Sequence, residues 1–372
     1  MDPRVEKLAE VMVNYSLELK KGDWVKIQGT VGAMPFVKAF FKKAVEVGAN
    51  PFYTAVVDDL AEIFLKNASD EQLKFISETQ KYEAEHMDAL MAVFGYENTK
   101  FLSNTDPKRQ AMAQSARKPL FEKILERTSK GEMRWCGTGF PLLSAAQDAE
   151  MSLSEYEEFV YGAGALDLKD PVSHWKEVSR KQAEICEFLD TKSEFKIVGK
   201  NTELTFNAGG RKWINCDGKE NFPDGEIFTG PIENSVNGKI HYSFPACYAG
   251  REVQNVALTF KDGKVVDFTA DKNYDFLEEM LNMDEGAKYV GEIAIGTNYQ
   301  IKQFTRNTLF DEKIGGTCHL AVGASLPESG GVNKSALHWD MVCDLREGGE
   351  IHGDGEIFYK DGKFLHHDWA AD

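Results

Sequence analysis

Trp24-Val25-Lys26-Ile27-Gln28-Gly29, then a helix opened by Pro35 with Phe36, Phe40, Ala44 and Val47 on one face, then Pro51-Phe52-Tyr53-Thr54-Ala55-Val56-Val57, decide the fold of the first half of this chain. An apolar strand, an amphipathic helix closed by Gly48 and a second strand, joined by short turns, form the unit in which two strands pair in parallel through a helical crossover. The pattern extends outward in both directions. Asp2-Pro3 caps a helix carrying Val5, Leu8, Met12, Tyr15 and Leu19 at helical spacing. Met91-Ala92-Val93-Phe94-Gly95 and Met133-Arg134-Trp135-Cys136-Gly137 read as two more strands. Helix is expected from about Ser152 to Leu189, broken near Asp170-Pro171.

After Lys192 the texture changes. Short alternating strands are separated by Asn207-Ala208-Gly209-Gly210, Cys216-Asp217-Gly218-Lys219, Val236-Asn237-Gly238-Lys239 and Lys261-Asp262-Gly263-Lys264, which read as hairpin turns. A helix near Tyr274 to Met283 interrupts them. The expected architecture is an N-terminal open α/β domain with a mostly parallel sheet, residues 1–190, followed by a β-rich α+β metal-binding domain, residues 191–372. At 372 residues the chain exceeds what one hydrophobic core usually serves, which agrees with two domains.

Composition narrows the function. Hydrophobic residues are 42% and charged residues 28%, and no apolar run reaches the length needed to span a bilayer. The formal charge of -17 argues against nucleic acid and anionic membrane surfaces as partners, since both need a basic patch, and favours cationic ligands such as a peptide with a free amino terminus. The first residues lack the basic-then-apolar layout of a signal peptide, so a cytoplasmic location is expected. The six cysteines form no CxxC pair and read as reduced, packed thiols. Gly29-Thr30-Val31-Gly32 lacks the third glycine of a dinucleotide fingerprint and the lysine and hydroxyl of a phosphate loop, and Gly162-Ala163-Gly164-Ala165 has no strand before it, so both read as turns.

The chemistry lies in the second half. In Leu337-His338-Trp339-Asp340-Met341-Val342-Cys343, strand alternation puts His338 and Asp340 on one face. An imidazole beside a carboxylate on a rigid strand is half of a metal site. Glu226 begins a short strand after Pro223-Asp224-Gly225. Glu292 stands in the apolar strand Val290-Gly291-Glu292-Ile293-Ala294-Ile295, and His319 in Thr317-Cys318-His319-Leu320-Ala321. A carboxylate in an apolar strand is costly unless paired or metal-bound, although a salt bridge or an edge position would also serve it. Three carboxylates and two imidazoles exceed one tetrahedral zinc and suit two divalent ions sharing a bridge. Nitrogen and oxygen donors without thiolate favour zinc, cobalt or manganese, and alternation turns Cys318 and Cys343 to the other face. There is no HExxH and no GxSxG. A mononuclear iron triad of His338, Asp340 and His352 or His366 is the rival, and it leaves Glu226, Glu292 and His319 unexplained.

These segments carry a resemblance. Phe159-Val160-Tyr161, Asp170-Pro171-Val172-Ser173-His174-Trp175, and the blocks PDGEIFTGP (223–231), GEIAIG (291–296), CHLAVG (318–323) and HWDMVCDLR (338–346) stand in an order that resembles the thermophilic-type metalloaminopeptidases, the aminopeptidase T and S relatives, over nearly the whole chain. The resemblance implies a two-metal exopeptidase acting on short peptides with a free N-terminus, with Glu226, Glu292, His319, His338 and Asp340 as ligands. Hydrolysis also needs a carboxylate near the ions to move the proton, and Glu292 is the candidate. It also implies a homodimer with an internal cavity. It places an active-site tyrosine seven residues beyond the first ligand histidine, where this chain has Leu326. That departure keeps open a different amide substrate or a weakly active metal-binding homologue.

Overall fold

The computed structural model describes residues 2–366. By its contacts the chain divides into two units, 1–172 with 218–223, and 173–217 with 224–372.

The first unit opens with α1 (Pro3–Val11), whose Asp2 side chain accepts the backbone N–H of Arg4 at 2.8 Å ahead of a proline in the first turn. Then come β1 (Trp24–Thr30), α2 (Met34–Glu46), β2 (Asn50–Val56), α3 (Asp58–Asn67), β3 (Ala89–Phe94) and β4 (Arg134–Gly139). The strands pair in parallel in the order β2-β1-β3-β4, with the two-residue strand Asn221–Phe222 added beside β4. Ile27 stands between Tyr53 and Met91. Val25, Ile27, Met91, Phe36 and Phe40 are buried, so the alternation of β1 and the apolar face of α2 meet in one core.

The second unit is the β-rich one. An eight-stranded antiparallel sheet runs from Lys264–Thr269 at one edge through Glu194–Gly199 to Lys363–Phe364 at the other. A five-stranded sheet consists of β5 (Ile214–Cys216), β6 (Glu226–Thr229), β7 (Val290–Gly296), β8 (Thr317–Gly323) and β9 (His338–Asp344), in the order β9-β8-β7-β6-β5. Both sheets feed one buried cluster that includes Ile197, Leu204, Ile240, Leu258, Ile293, Leu320, Trp339 and Met341. This is an open parallel sheet with helices in one unit and antiparallel sheets in the other, as the strand–helix alternation of the first half and the short alternating strands of the second require.

Three details correct the sequence reading. The first concerns the boundary near residue 190. The long helix α4 (Pro171–Asp190) groups, from residue 173 on, with the second unit. Ile185, Cys186 and Leu189 lie in that unit's core, and the Gln182 amide donates to the carbonyls of Cys216 and Glu226 at 2.9 and 3.1 Å. The second is Asn237-Gly238, which lies inside the strand Asn237–His241 and not at a turn. Gly238, at φ +110, lets the strand approach Glu203, whose carbonyl oxygen would stand 2.2 Å from any Cβ. Lys261-Asp262-Gly263-Lys264 does close a hairpin, with Lys261 opposite Lys264. The third is Asp217-Gly218, which begins the excursion of 218–223 into the first unit and joins no hairpin.

Candidate metal centre

Register in the five-stranded sheet places Glu226, Glu292, His319, His338 and Asp340 on one face. Glu226 stands opposite Gly296, two residues along β7 from Ala294, which pairs with His319. Glu292 pairs with Ala321, which pairs with Asp340, and Gly323 pairs with His338. The opposite face carries Ile227, Ile293, Ile295, Cys318, Leu320, Trp339, Met341 and Cys343, all in the core. Strand alternation thus sends the apolar residues inward and collects the donors on the other side. Cys318 and Cys343 face the core as expected.

Glu292 depends on an irregularity. The pairing of β7 with β8 shifts between Val290 and Glu292, and Gly291 fills the bulge, where a Cβ would lie 2.1 Å from the carbonyl oxygen of Ala324. A bulge re-aims the side chain that follows it. Glu292 then reaches two histidines at once: its Oε1 lies 3.3 Å from Nε2 of His319, and its Oε2 lies 3.6 Å from Nε2 of His338. His338 Nε2 is also 3.5 Å from Asp340 Oδ1, and His319 Nε2 is 3.5 Å from Glu226 Oε2.

Two residues that the sequence did not single out complete the site. Glu312 forms a second group with Glu226 and His319, their donor atoms within 4.8 Å of one another, beside the group Glu292, His319 and Asp340. Lys313 is fully buried, with its Nζ bonded to Glu312, 3.5 Å from Glu226 Oε1 and 3.8 Å from Asp224 Oδ1. Its backbone is fixed, since its N–H donates to Phe310 and its carbonyl accepts from Asn298. A small crevice of about 20 Å³, lined in part by Phe304, Asp311, Glu312 and Asp340, opens beside the cluster.

The electrostatics are those of a site that attracts cations. Burial opposes charge on His319, but its hydrogen bond to Glu292 and the charges of Glu226 and Asp340 outweigh that and raise it to about 9. Burial likewise opposes charge on His338, and Asp340 and Glu292 raise it to about 10. Asp340, despite its burial, is held at about 2 by His338, His319 and Lys313. Burial pushes Glu226 well above the carboxylate range against the pull of Lys313.

A divalent ion fits these residues. His338 Nδ1 can only donate to the carbonyl oxygen of Ala324, 2.9 Å away, so Nε2 of the neutral ring turns a lone pair toward two carboxylates. That arrangement is repulsive unless a cation or a proton lies between them. Glu226 Oε2 and Asp340 Oδ1 are buried without a hydrogen-bond partner, and both lie in the same cluster. The iron-triad rival does not assemble: His352 lies in the eight-stranded sheet, 3.2 Å from Glu350, and His366 packs against Phe188. His367 lies outside the described residues.

With the geometry in place, the comparisons with known proteins are consistent with one another. Residues 1–364 match the model of the thermophilic metalloproteases, M29. The chain is 27% identical to aminopeptidase 2 of Geobacillus stearothermophilus, over 99% of its own length and 98% of the relative's. It is 28% identical to aminopeptidase T of Thermus thermophilus, over 96% and 95%, and 26% identical to aminopeptidase AmpS of Bacillus subtilis, over 93% and 94%. The solved structure of wild-type AmpT from Thermus thermophilus superposes with a TM-score of 0.85 at 25% identity, covering 98% of this chain and 99% of that one.

Proposed function

The chain belongs to the thermophilic metalloproteases of the M29 family, and from that premise we propose an aminopeptidase that holds two divalent ions, zinc, cobalt or manganese, and removes N-terminal residues from short peptides. The observation that carries this reading is the convergence of Glu226, Glu292, His319, His338 and Asp340 on one sheet face, with buried carboxylate oxygens that lack a hydrogen-bond partner.

The donor count and the reach of Glu292, one oxygen toward His319 and the other toward His338, support two ions. Glu292, His338 and Asp340 would hold one, and His319, Glu226 and Glu312 the other, beside the ammonium of Lys313. Bound there, the ions would supply Lewis-acid polarisation of the scissile carbonyl and acidify water. The protein's own groups do the rest. Glu292, between two imidazoles and almost wholly buried, takes the proton of the attacking water and returns it to the leaving amine. The Ala324 carbonyl fixes the His338 tautomer and ring plane. Lys313 holds the carboxylates of Glu226 and Glu312 in place.

The six cysteines are free, which suits a reducing compartment such as the cytoplasm. Among the described residues no helix is long and apolar enough to cross a membrane. A homodimer is the assembly the resemblance implies.

Metal analysis of the purified protein should find about two ions per chain, by the donor count of a two-metal site. Chelation should abolish hydrolysis of aminoacyl amides, and zinc, cobalt or manganese should restore it. His338→Ala or Asp340→Ala should remove at least one ion, and His352→Ala none. One ion per chain in the fully active protein would sink the two-metal reading and spare the hydrolase, whereas activity surviving exhaustive chelation would sink both.

A further inference from the structure

A cavity of about 380 Å³ in the first unit belongs to none of the chemistry described so far. It lies where the parallel sheet changes direction. The chain runs from β1 to β2 on one side, and β3 then returns on the other side of β1. The crevice outside the carboxyl ends of the strands at such a reversal is where open α/β sheets take their ligands. The carboxyl ends of the strands and the segments after them line it: Thr30 and Val31 at the end of β1, Val56 to Asp59 at the end of β2, and Glu97, Asn98, Lys100, Phe101 and Asn104 after β3.

The lining states what would be bound. Asp58, Asp59, Glu62 and Glu97 face one lysine, Lys100, whose ammonium lies 3.8 Å from Asp148. Glu62 is paired with Lys66, while among the described residues no cation pairs with Asp58, Asp59 or Glu97. Asp58 is the anchor. It is 8% exposed; its Oδ2 accepts the N–H groups of Glu97 at 2.8 Å and Asn98 at 3.3 Å, and its Oδ1 is buried without a partner. A buried carboxylate oxygen left unpaired at the wall of a cavity is an acceptor waiting for a donor.

Phosphate is excluded by this charge. The first turn of α3, which would otherwise favour an anion, is already occupied by Asp58 and Asp59. A bare metal ion is disfavoured as well. The groupings of acidic, histidine and cysteine side chains close enough to hold an ion all lie in the second unit, among the described residues, and the acids here are spread around a much larger space. Val31, Val56 and Phe101 supply apolar wall between them. We propose that this cavity is a binding site for a linear aliphatic polyamine, with ammonium groups on Asp58, Asp59 and Glu97 and methylenes against Val31, Val56 and Phe101. The site is independent of the metal centre.

Titration calorimetry on the metal-loaded full chain, with spermidine as the probe and magnesium and inorganic phosphate as comparisons, tests this. Spermidine should bind saturably at one site per chain, and phosphate should not bind. Asp58→Asn keeps an oxygen to accept the Glu97 and Asn98 N–H groups and should weaken binding about tenfold, the loss of one charge-assisted contact. The double variant Asp59→Asn/Glu97→Gln alters two exposed side chains that hold nothing else together, and it should weaken spermidine binding further. Spermidine affinity unchanged in both variants would overturn the site. Magnesium binding as tightly, with the same dependence on Asp58, would overturn the polyamine and leave a cation site in its place.

Discussion

If His319 and His338 hold the ions as proposed, they couple the fold to metal and pH in a way that can be measured. Without an ion their pKa values stand at about 9 and about 10, above the ordinary 6.5, because Glu292, Asp340 and Glu226 surround them. A group whose pKa rises on folding stabilises the folded state fully below its unfolded value and loses that contribution as pH rises through its folded value. The chelated protein should therefore lose thermal stability between about pH 7 and pH 10, beyond what the loaded protein loses. Ions can enter only as those protons leave, so loading at pH 7 should release about two protons per chain from the histidines, beyond any that the buried Glu226 gives up, and affinity should climb with pH. Calorimetry in two buffers of different ionisation enthalpy reads the protons directly. Equal heats in both buffers would mean that the histidines are already neutral and that the acids do not govern them.

At the scale of the strand and the turn, β8 ends at Gly323 and runs through Ala324, which orients His338, into the half-buried Leu326 and a single tight turn, Pro327–Ser329. Ser329 Oγ donates to the Leu326 carbonyl at 2.7 Å, so the backbone here is fixed whatever side chain position 326 carries. The resemblance puts a phenol at this position, and an oxyanion donor is worth roughly a hundredfold in rate. Leu326→Tyr should raise turnover on simple aminoacyl amides at unchanged metal content. A fall on every substrate of a panel would show instead that Leu326 shapes a pocket for another amide. The elements also show what the chain made legible. Period-two alternation put Glu226, Glu292, His319, His338 and Asp340 on strands, and the sheet register brought them to one face. Glu312 and Lys313 escaped because they follow a four-residue helix in a loop, where no periodicity separates a buried charge from a solvated one. The boundary near 190 failed because α4 reads as helix whichever core it joins, and only Gln182 and its partners across the unit reveal which. Asn237-Gly238 misled because a glycine that admits a neighbouring strand and a glycine that makes a turn look alike in sequence.

For the whole molecule the governing fact is charge, 60 acidic side chains against 43 basic ones. Such a surface repels anionic polymers and raises the encounter rate of cations over distances of about a Debye length, roughly 8 Å at physiological salt. A peptide with a free amino terminus arrives as a cation at the end that must enter the site. Two consequences follow for turnover. Removing the terminal charge by N-acetylation should abolish cleavage, because an aminopeptidase acts at the free α-amino group. Raising the ionic strength should lower kcat/KM through KM, with kcat nearly constant, since salt screens the approach and leaves the buried chemistry alone. The effect should be steeper for peptides with a second positive charge near the N-terminus than for peptides with an acidic residue there. Stepwise shortening of free-amine peptides, followed by mass spectrometry across a salt series, reads both. Comparable cleavage of acetylated peptides would contradict the aminopeptidase assignment itself. A salt dependence carried by kcat alone would place the acidic surface outside substrate capture and leave solubility as its role.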